Sequence, residues 1–230
     1  MRTALIIPAA GSGVRLGVGR HKALVEIGGQ ALVRLALEPF RGIEHIVEAI
    51  VVAPQGAMPE IQEALVGVDW PGCALRTVAG GETRQDSVRN GIETIEGEVA
   101  LVCVHDAARP LVTESTVLRV LAAASEYGAA TAGSRPADSL RIDTEDGATE
   151  TLDRDKAWLI ETPQAFRYDV IRKAHDHALA TRFVATDDAT LAEQCAGVTV
   201  SVVESDALNM KVTKPEDLEV VRAILEAVQG

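Results

Sequence analysis

Short runs of β-branched and other apolar residues recur along the chain: ALII at 4–7, AIVVA at 49–53, ALRTV at 74–78, ALVCV at 100–104, AATAG at 129–133 and TVSVV at 199–203. Between most of them apolar positions return at helical spacing, as in ALVRLALEPF, MPEIQEALVG, STVLRVLAAASEYG and YDVIRKAHDHALA. Strands that are apolar throughout need cover on both faces, and the intervening amphipathic helices supply it. The alternation predicts an α/β fold: a mostly parallel twisted sheet, Rossmann-like, with helices on both faces, in one domain over 1–230.

One segment breaks the rhythm. ADSLRIDTEDGATETLDRD, residues 137–155, is polar, lacks helical periodicity and carries Asp146-Gly147 near its middle, which predicts a β-hairpin. A lone two-stranded ribbon is marginally stable in water, so this arm needs a domain of its own or a second subunit to pack on.

Composition narrows the partners. The chain has 230 residues, 47% hydrophobic and 3% aromatic, so Val, Leu, Ile and Ala must build the core. Its net charge of −12 argues against nonspecific attraction to nucleic acid or anionic membranes. A small anionic ligand then requires basic side chains gathered in one pocket. Cys73, Cys103 and Cys195 are far apart and read as reduced thiols. With no room for a signal peptide before IIPAAG and no run of membrane-spanning length, the expected location is the cytoplasm.

The first apolar run leads directly into PAAGSGVRLG, residues 8–17. A strand entering a glycine-rich turn directs main-chain N–H groups at an anion, most often a nucleotide phosphate. Two familiar versions do not fit. Gly11, Gly13 and Gly17 are spaced one residue too wide for the dinucleotide fingerprint, and Lys22 follows His21 where a P-loop lysine follows glycine. What remains is a loop followed by Arg15, Arg20 and Lys22, against the plainer reading of a solvated basic turn.

Further along, VCVHDAARP sets His105, Asp106 and Arg109 just past a buried strand, where open α/β sheets bind ligands. Asp106 suits a sugar hydroxyl, a metal or a cap on the next turn. No His spacing suits zinc. In GGETRQDSVRNG, Thr83 and Asp86 fit a helix cap, while Gly80, Gly81 and Ser87 are grouped as a base edge would require. Thr213-x-x-Glu216 reads as a capping box opening the last helix, with Lys211 two residues before it.

Taken together, PAAGSGVRLG, Lys22, GGETRQDSV, VHDAARP, TPQAF and KVTKPEDL closely resemble the 2-C-methyl-D-erythritol 4-phosphate cytidylyltransferases of the non-mevalonate isoprenoid pathway. The resemblance implies a nucleotidyltransferase fold and a homodimer that couples CTP with methylerythritol phosphate, using Mg2+ and releasing pyrophosphate. It places Pro8, Ala9, Ala10, Gly11, Ser12, Gly13 and Ala107 around the nucleotide, with Gly81, Glu82 and Ser87 around cytosine. Arg15 and Lys22 take the role of transition-state stabilisers. Asp106, Arg109, Ser139 and Lys211 surround the acceptor, Arg154 and Thr162 reach it from the partner's arm, and Asp106 is the one candidate beside the metal. His21 before the lysine, Glu82 for Asp and Ser139 for Thr depart from the usual pattern. Two other readings are a pentitol phosphate cytidylyltransferase, close in chemistry, and a noncatalytic nucleotide-binding sensor.

The chemistry explains the basic residues. A phosphate monoester with its second pKa near ~6 is largely dianionic at neutral pH and needs no general base. Its approach to a triphosphate is opposed by roughly 4 kcal/mol per pair of unit charges at ~4 Å and an effective dielectric of 20. Magnesium, Arg15 and Lys22 on the nucleotide side, with Lys211 and Arg154 on the acceptor side, would offset that repulsion.

Overall fold

The computed structural model describes residues 1–10 and 21–229. Strand β1 (Thr3–Pro8) opens the chain, and a small hairpin of β2 (Glu26–Ile27) and β3 (Gln30–Ala31) precedes helix α1 (Leu32–Leu37). There follow β4 (Ile46–Ala53), α2 (Met58–Ala64), β5 (Ala74–Ala79), α3 (Arg84–Glu93), β6 (Leu101–Val104), α4 (Glu114–Tyr127) and β7 (Ala129–Ser134). The pair β8 (Leu140–Asp143) and β9 (Thr149–Leu152) leads to β10 (Leu159–Arg167), α5 (Tyr168–Thr181), α6 (Asp188–Leu191), β11 (Ser201–Glu204) and α7 (Pro215–Gln229).

Seven strands form the main sheet in the order β11-β7-β10-β6-β1-β4-β5. All run parallel except β10, which is antiparallel to both β6 and β7. The expected α/β architecture is present, and β10 is the strand that the hydrophobic pattern did not predict. Its sequence LIETPQAFR carries a proline and a glutamine that read locally as a turn. Ala165 and Phe166 are nevertheless fully buried between two flanking strands, and that tertiary pairing overrides the local preference.

From β1 the chain builds β4 and β5 on one side, then returns to place β6 on the other. The carboxyl ends of β1 and β6 therefore form a topological switch point, the usual ligand crevice of an open α/β sheet. Successive strand residues point to opposite faces, and the core divides accordingly. Leu5, Ile7, Ala49, Val51 and Cys103 pack with Phe40 and with Val117 and Val120 of α4. Ile6, Ile50, Val52, Val102 and Val104 pack on the opposite face with Val88 and Ile92 of α3 and Ile171 of α5. Among the described residues no helix is long and apolar enough to cross a membrane.

The expected hairpin is present as a separate two-stranded ribbon, β8 paired with β9, and Gly147 in its turn has φ +81°. Leu140 opposes Leu152, so Leu140, Ile142 and Leu152 share one face; Ile142 and Leu152 are 54% and 44% exposed. On the other face Arg141 donates to the hydroxyls of Thr149 and Thr151. The ribbon thus has an apolar face without cover from its own sheet.

Helix α7 is capped differently from the sequence expectation. The Asp217 carboxylate, rather than Glu216, accepts from the amides of Thr213 and Lys214 and from the Thr213 hydroxyl. Those three bonds hold Asp217 below the ordinary carboxylate range, the Thr213 and Lys214 amides foremost. Cys103 and Cys195 are buried, Cys73 is half-buried, and all three are free thiols.

Candidate active site

The nucleotide side of the crevice is assembled by backbone hydrogen bonds across strand ends. Beyond β1, Ala9 N–H donates to Val52 O, and beyond β5, Gly80 N–H donates to Ala53 O, both at 2.8 Å. These bonds bring the 80–81 turn against Ala10: a Cβ on Gly80 would lie 2.8 Å from Ala10 Cβ and 2.9 Å from Ser87 Oγ. At Gly81 a Cβ would approach Asp86 Cβ to 2.3 Å, so only glycine fits.

Helix α3 starts here in the expected capping box. Thr83 Oγ1 accepts from Asp86 N–H at 3.0 Å while Asp86 Oδ2 accepts from Thr83 N–H at 3.2 Å. Ser87 is buried, accepts from Gly81 N–H at 3.1 Å and donates to Thr83 O at 2.9 Å. Its hydroxyl therefore shapes the turn from inside, whereas Glu82 is exposed at the turn itself. Ala107 has its side chain in the core.

On the acceptor side, Asp106 follows β6 and is buried, and two less buried cations reach it. Its Oδ2 accepts from Lys211 Nζ at 2.6 Å and its Oδ1 from Arg84 Nε at 3.1 Å. Burial opposes its ionisation, but Arg84 and then Lys211 outweigh that, and its pKa falls well below the ordinary carboxylate range. Arg84 also donates through Nη1 to Asp188 Oδ2 at 2.7 Å. Burial would lower its pKa, yet Asp188 and Asp106 together raise it.

Behind Asp106 runs a chain of hydrogen bonds with a fixed direction. His105 Nε2 lies 3.0 Å from Arg109 O, which can only accept, so Nε2 carries the proton and Nδ1 is bare. Thr162 Oγ1, 3.2 Å away, then donates to Nδ1 and itself accepts from Asp106 N–H at 3.0 Å. His105 is fully buried, and desolvation lowers its pKa to about 4. Thr162 is 5% exposed. Sequence reasoning placed Thr162 on the partner's arm, and the structure corrects this: the antiparallel course of β10 returns residue 162 to the end of its own subunit's β6, where it supports Asp106 from behind.

Arg109 is held by a second set of contacts. Nη1 donates to Asn209 O at 2.6 Å and lies 3.9 Å from Glu161 Oε2. Burial lowers its pKa, with Glu161 and Asp106 opposing. Glu161 accepts from Ser134, Ser205 and Asn209 at 2.8, 2.6 and 2.7 Å, which fixes the segment leading from β11 to Lys211. Sequence reasoning missed Arg84, Glu161, Asp188 and Asn209. Only Arg84 had a local signal, its place inside the GGETRQDSV motif.

Asp106, Arg109, Thr162 and Lys211 are thus brought together, with the Gly80–Ser87 turn joined to them through Arg84. Ser139 and Arg154 lie on the exposed arm instead, where Arg154 Nη1 donates to Ala137 O at 2.7 Å. Lys22 opens a 3-10 turn that packs on α1 and α2 and is half-buried. Gly11, Ser12, Gly13 and Arg15 fall outside the described residues.

A mixed sheet with one antiparallel strand, a glycine turn on a helix start, and carboxylate and cations at the switch point define a nucleotidyltransferase-like α/β protein. A model of the family 2-C-methyl-D-erythritol 4-phosphate cytidylyltransferase matches residues 3–227, and the chain belongs to that family. It is 36% identical over 230 residues to the enzyme of that name from Pelotomaculum thermopropionicum, covering 100% of this chain and 96% of the relative. The Deinococcus radiodurans enzyme is 41% identical, at 100% and 92% coverage. The crystal structure of 4-diphosphocytidyl-2C-methyl-D-erythritol synthase from Anaerococcus prevotii superposes with a TM-score of 0.86 at 30% identity, covering 98% of each chain.

Proposed function

We propose that this chain transfers the cytidylyl group of CTP to the phosphate of 2-C-methyl-D-erythritol 4-phosphate. The observation that carries the reading is Asp106 paired with Lys211 at the switch point, beside the Gly80–Gly81 turn, in a chain that matches its family over nearly its whole length. The acceptor phosphate oxygen forms a bond to the α-phosphorus as the bond from that phosphorus to the β-bridging oxygen breaks, and pyrophosphate leaves. No proton has to be removed from a dianionic phosphate, so the reaction asks the protein for position and positive charge.

Lys211 and Arg109 supply charge for the acceptor. Lys211 is 41% exposed and can turn from Asp106 toward an incoming phosphate, whereas Arg109 is fixed by Asn209. Asp106 then faces the acceptor hydroxyls. Pro8 to Ala10, Gly81 and Glu82 form the wall available to the nucleotide, with Arg15 and Lys22 assigned to the triphosphate by family resemblance.

Both Asp106 oxygens are engaged by cations, and among the described residues no group of three or more His, Cys, Asp or Glu side chains gathers for a metal. By family resemblance Mg2+ would arrive as the CTP complex, with Asp106 the carboxylate proposed to lie beside it. The ion, when bound, neutralises part of the triphosphate charge.

The apolar face of the arm, with Ile142 and Leu152 exposed beside the half-buried Leu140, supports a homodimer, in which Ser139 and Arg154 reach the partner's acceptor site. Pyrophosphate release measured with CTP and methylerythritol phosphate, against CTP and ribitol 5-phosphate, tests the assignment. Turnover confined to ribitol phosphate, or CTP binding without turnover, would overturn it.

A further inference from the structure

Asp106 does not stand alone at the end of β6, and its orientation depends on a residue that touches neither substrate in the scheme above. Arg84, in the first turn of α3, spans two carboxylates: Nε holds Asp106 Oδ1 at 3.1 Å and Nη1 holds Asp188 Oδ2 at 2.7 Å. Asp188 is 1% exposed and begins α6. Its other oxygen lies 4.0 Å from His175 Nε2.

Position is imposed on Asp188 from the sheet. Gln164 of β10, itself buried, accepts from Ala189 N–H at 2.9 Å and donates to Asp187 Oδ2 at 2.9 Å. A buried carboxylate held this firmly fixes the guanidinium in turn, because the planar fork of arginine can engage two carboxylates at once in one orientation only.

This matters when the acceptor arrives. Among the described residues Asp106 hydrogen-bonds two cations, and one of them, Lys211, is the partly exposed side chain that a phosphate dianion would draw away. Asp106 would then retain Arg84 as its hydrogen-bonded cation among the described residues. Were Arg84 free to follow the incoming phosphate as well, Asp106 would lose both of its hydrogen-bonded cations and keep only the weaker field of Arg109, which Glu161 shares, a costly state for a buried carboxylate. Asp188 prevents that by holding the other end of the guanidinium.

We infer that Arg84, clamped by Asp188, is a positioning residue that keeps Asp106 oriented toward the acceptor while Lys211 is exchanged onto the acceptor phosphate. The inference rests on the cytidylyltransferase reading. It makes the start of α6 part of acceptor recognition, although α6 contributes no group to either substrate.

Arg84→Met, Asp188→Asn, Arg84→Lys and the double variant Arg84→Met/Asp188→Asn test it by steady-state kinetics with CTP and methylerythritol phosphate. KM is independent of the fraction of correctly folded enzyme, so it separates positioning from stability. Arg84→Met is expected to raise the acceptor KM by roughly ten- to hundred-fold with the KM for CTP within about two-fold. Asp188→Asn raises it less. Arg84→Lys recovers part of the loss, since one ammonium can hold Asp106 but not both carboxylates. The double variant is no worse than Arg84→Met, because Asp188 acts through Arg84. Should Arg84→Met fail to fold with Asp188 buried and unpaired, the double variant removes both charges and carries the measurement.

An acceptor KM unchanged in the double variant, or both KM values rising together, overturns the inference while leaving the enzyme assignment intact. A wild-type chain that releases no pyrophosphate from this substrate pair overturns the assignment, and the inference falls with it.

Discussion

The Asp106 amide donates to the Thr162 hydroxyl at 3.0 Å across 56 positions of sequence, so the carboxylate facing the crevice is anchored by the one antiparallel strand of the sheet. Thr162 passes the bond on to His105 Nδ1. Removing the hydroxyl with the near-isosteric Thr162→Val leaves a buried donor and a buried acceptor unpaired. The expected loss is about 1–3 kcal/mol of unfolding free energy, read from urea denaturation, with Thr162→Ser retaining most of it. Wild-type stability in the valine variant would mean that the chain of bonds carries no weight.

Gly81 has a steric role that a single substitution can expose. An added Cβ would approach Asp86 Cβ to 2.3 Å and the Asp86 carbonyl carbon to 3.1 Å, so the start of α3 must move. Gly81→Ala is therefore expected to cost roughly 1–3 kcal/mol and to weaken CTP binding by calorimetry more than it alters acceptor binding. Unchanged CTP affinity would remove this turn from the nucleotide wall.

The arm predicts shared sites. In the proposed homodimer, the Arg154→Ala and Lys22→Ala proteins should each be nearly inactive, and mixing them should restore part of the activity, since one of the two sites in a mixed dimer would keep both side chains. Lys22→Ala by itself should lower kcat far more than it raises the KM for CTP. No recovery on mixing, with mixed dimers shown to form by mass spectrometry, would argue that each subunit is self-contained.

His105 gives stability a defined pH dependence. Its folded-state pKa of about 4 lies below the ordinary 6.5, so the unfolded chain binds its proton more readily. The stabilisation is complete above pH 6.5 and is lost as pH falls through the window from 6.5 to about 4, in total by roughly 3 kcal/mol. His175, also lowered by burial, adds a contribution of the same sign. Asp106 titrates below this window because Arg84 and Lys211 outweigh its desolvation. His105→Gln should flatten the stability curve between pH 6.5 and 4; an unaltered slope would assign the effect to other groups.

Local sequence was sufficient for whatever depends on neighbours along the chain. The strands of the sheet other than β10 and the helices that cover it follow from apolar periodicity, the α3 cap from Thr83 and Asp86, and the arm's turn from Asp146-Gly147, because dihedral preference and side-chain spacing act over a few residues. Motifs spread from residue 8 to 218 also sufficed for the family. Tertiary structure alone decided that TPQAF is a strand, that Thr162 serves its own subunit, and that Asp217 caps α7. It alone revealed that Arg84 meets Asp188 across 104 positions and Lys211 meets Asp106 across 105. No local pattern encodes such pairs, since their energies depend on burial and on the direction of a strand such as β10, and both arise only when the sheet assembles.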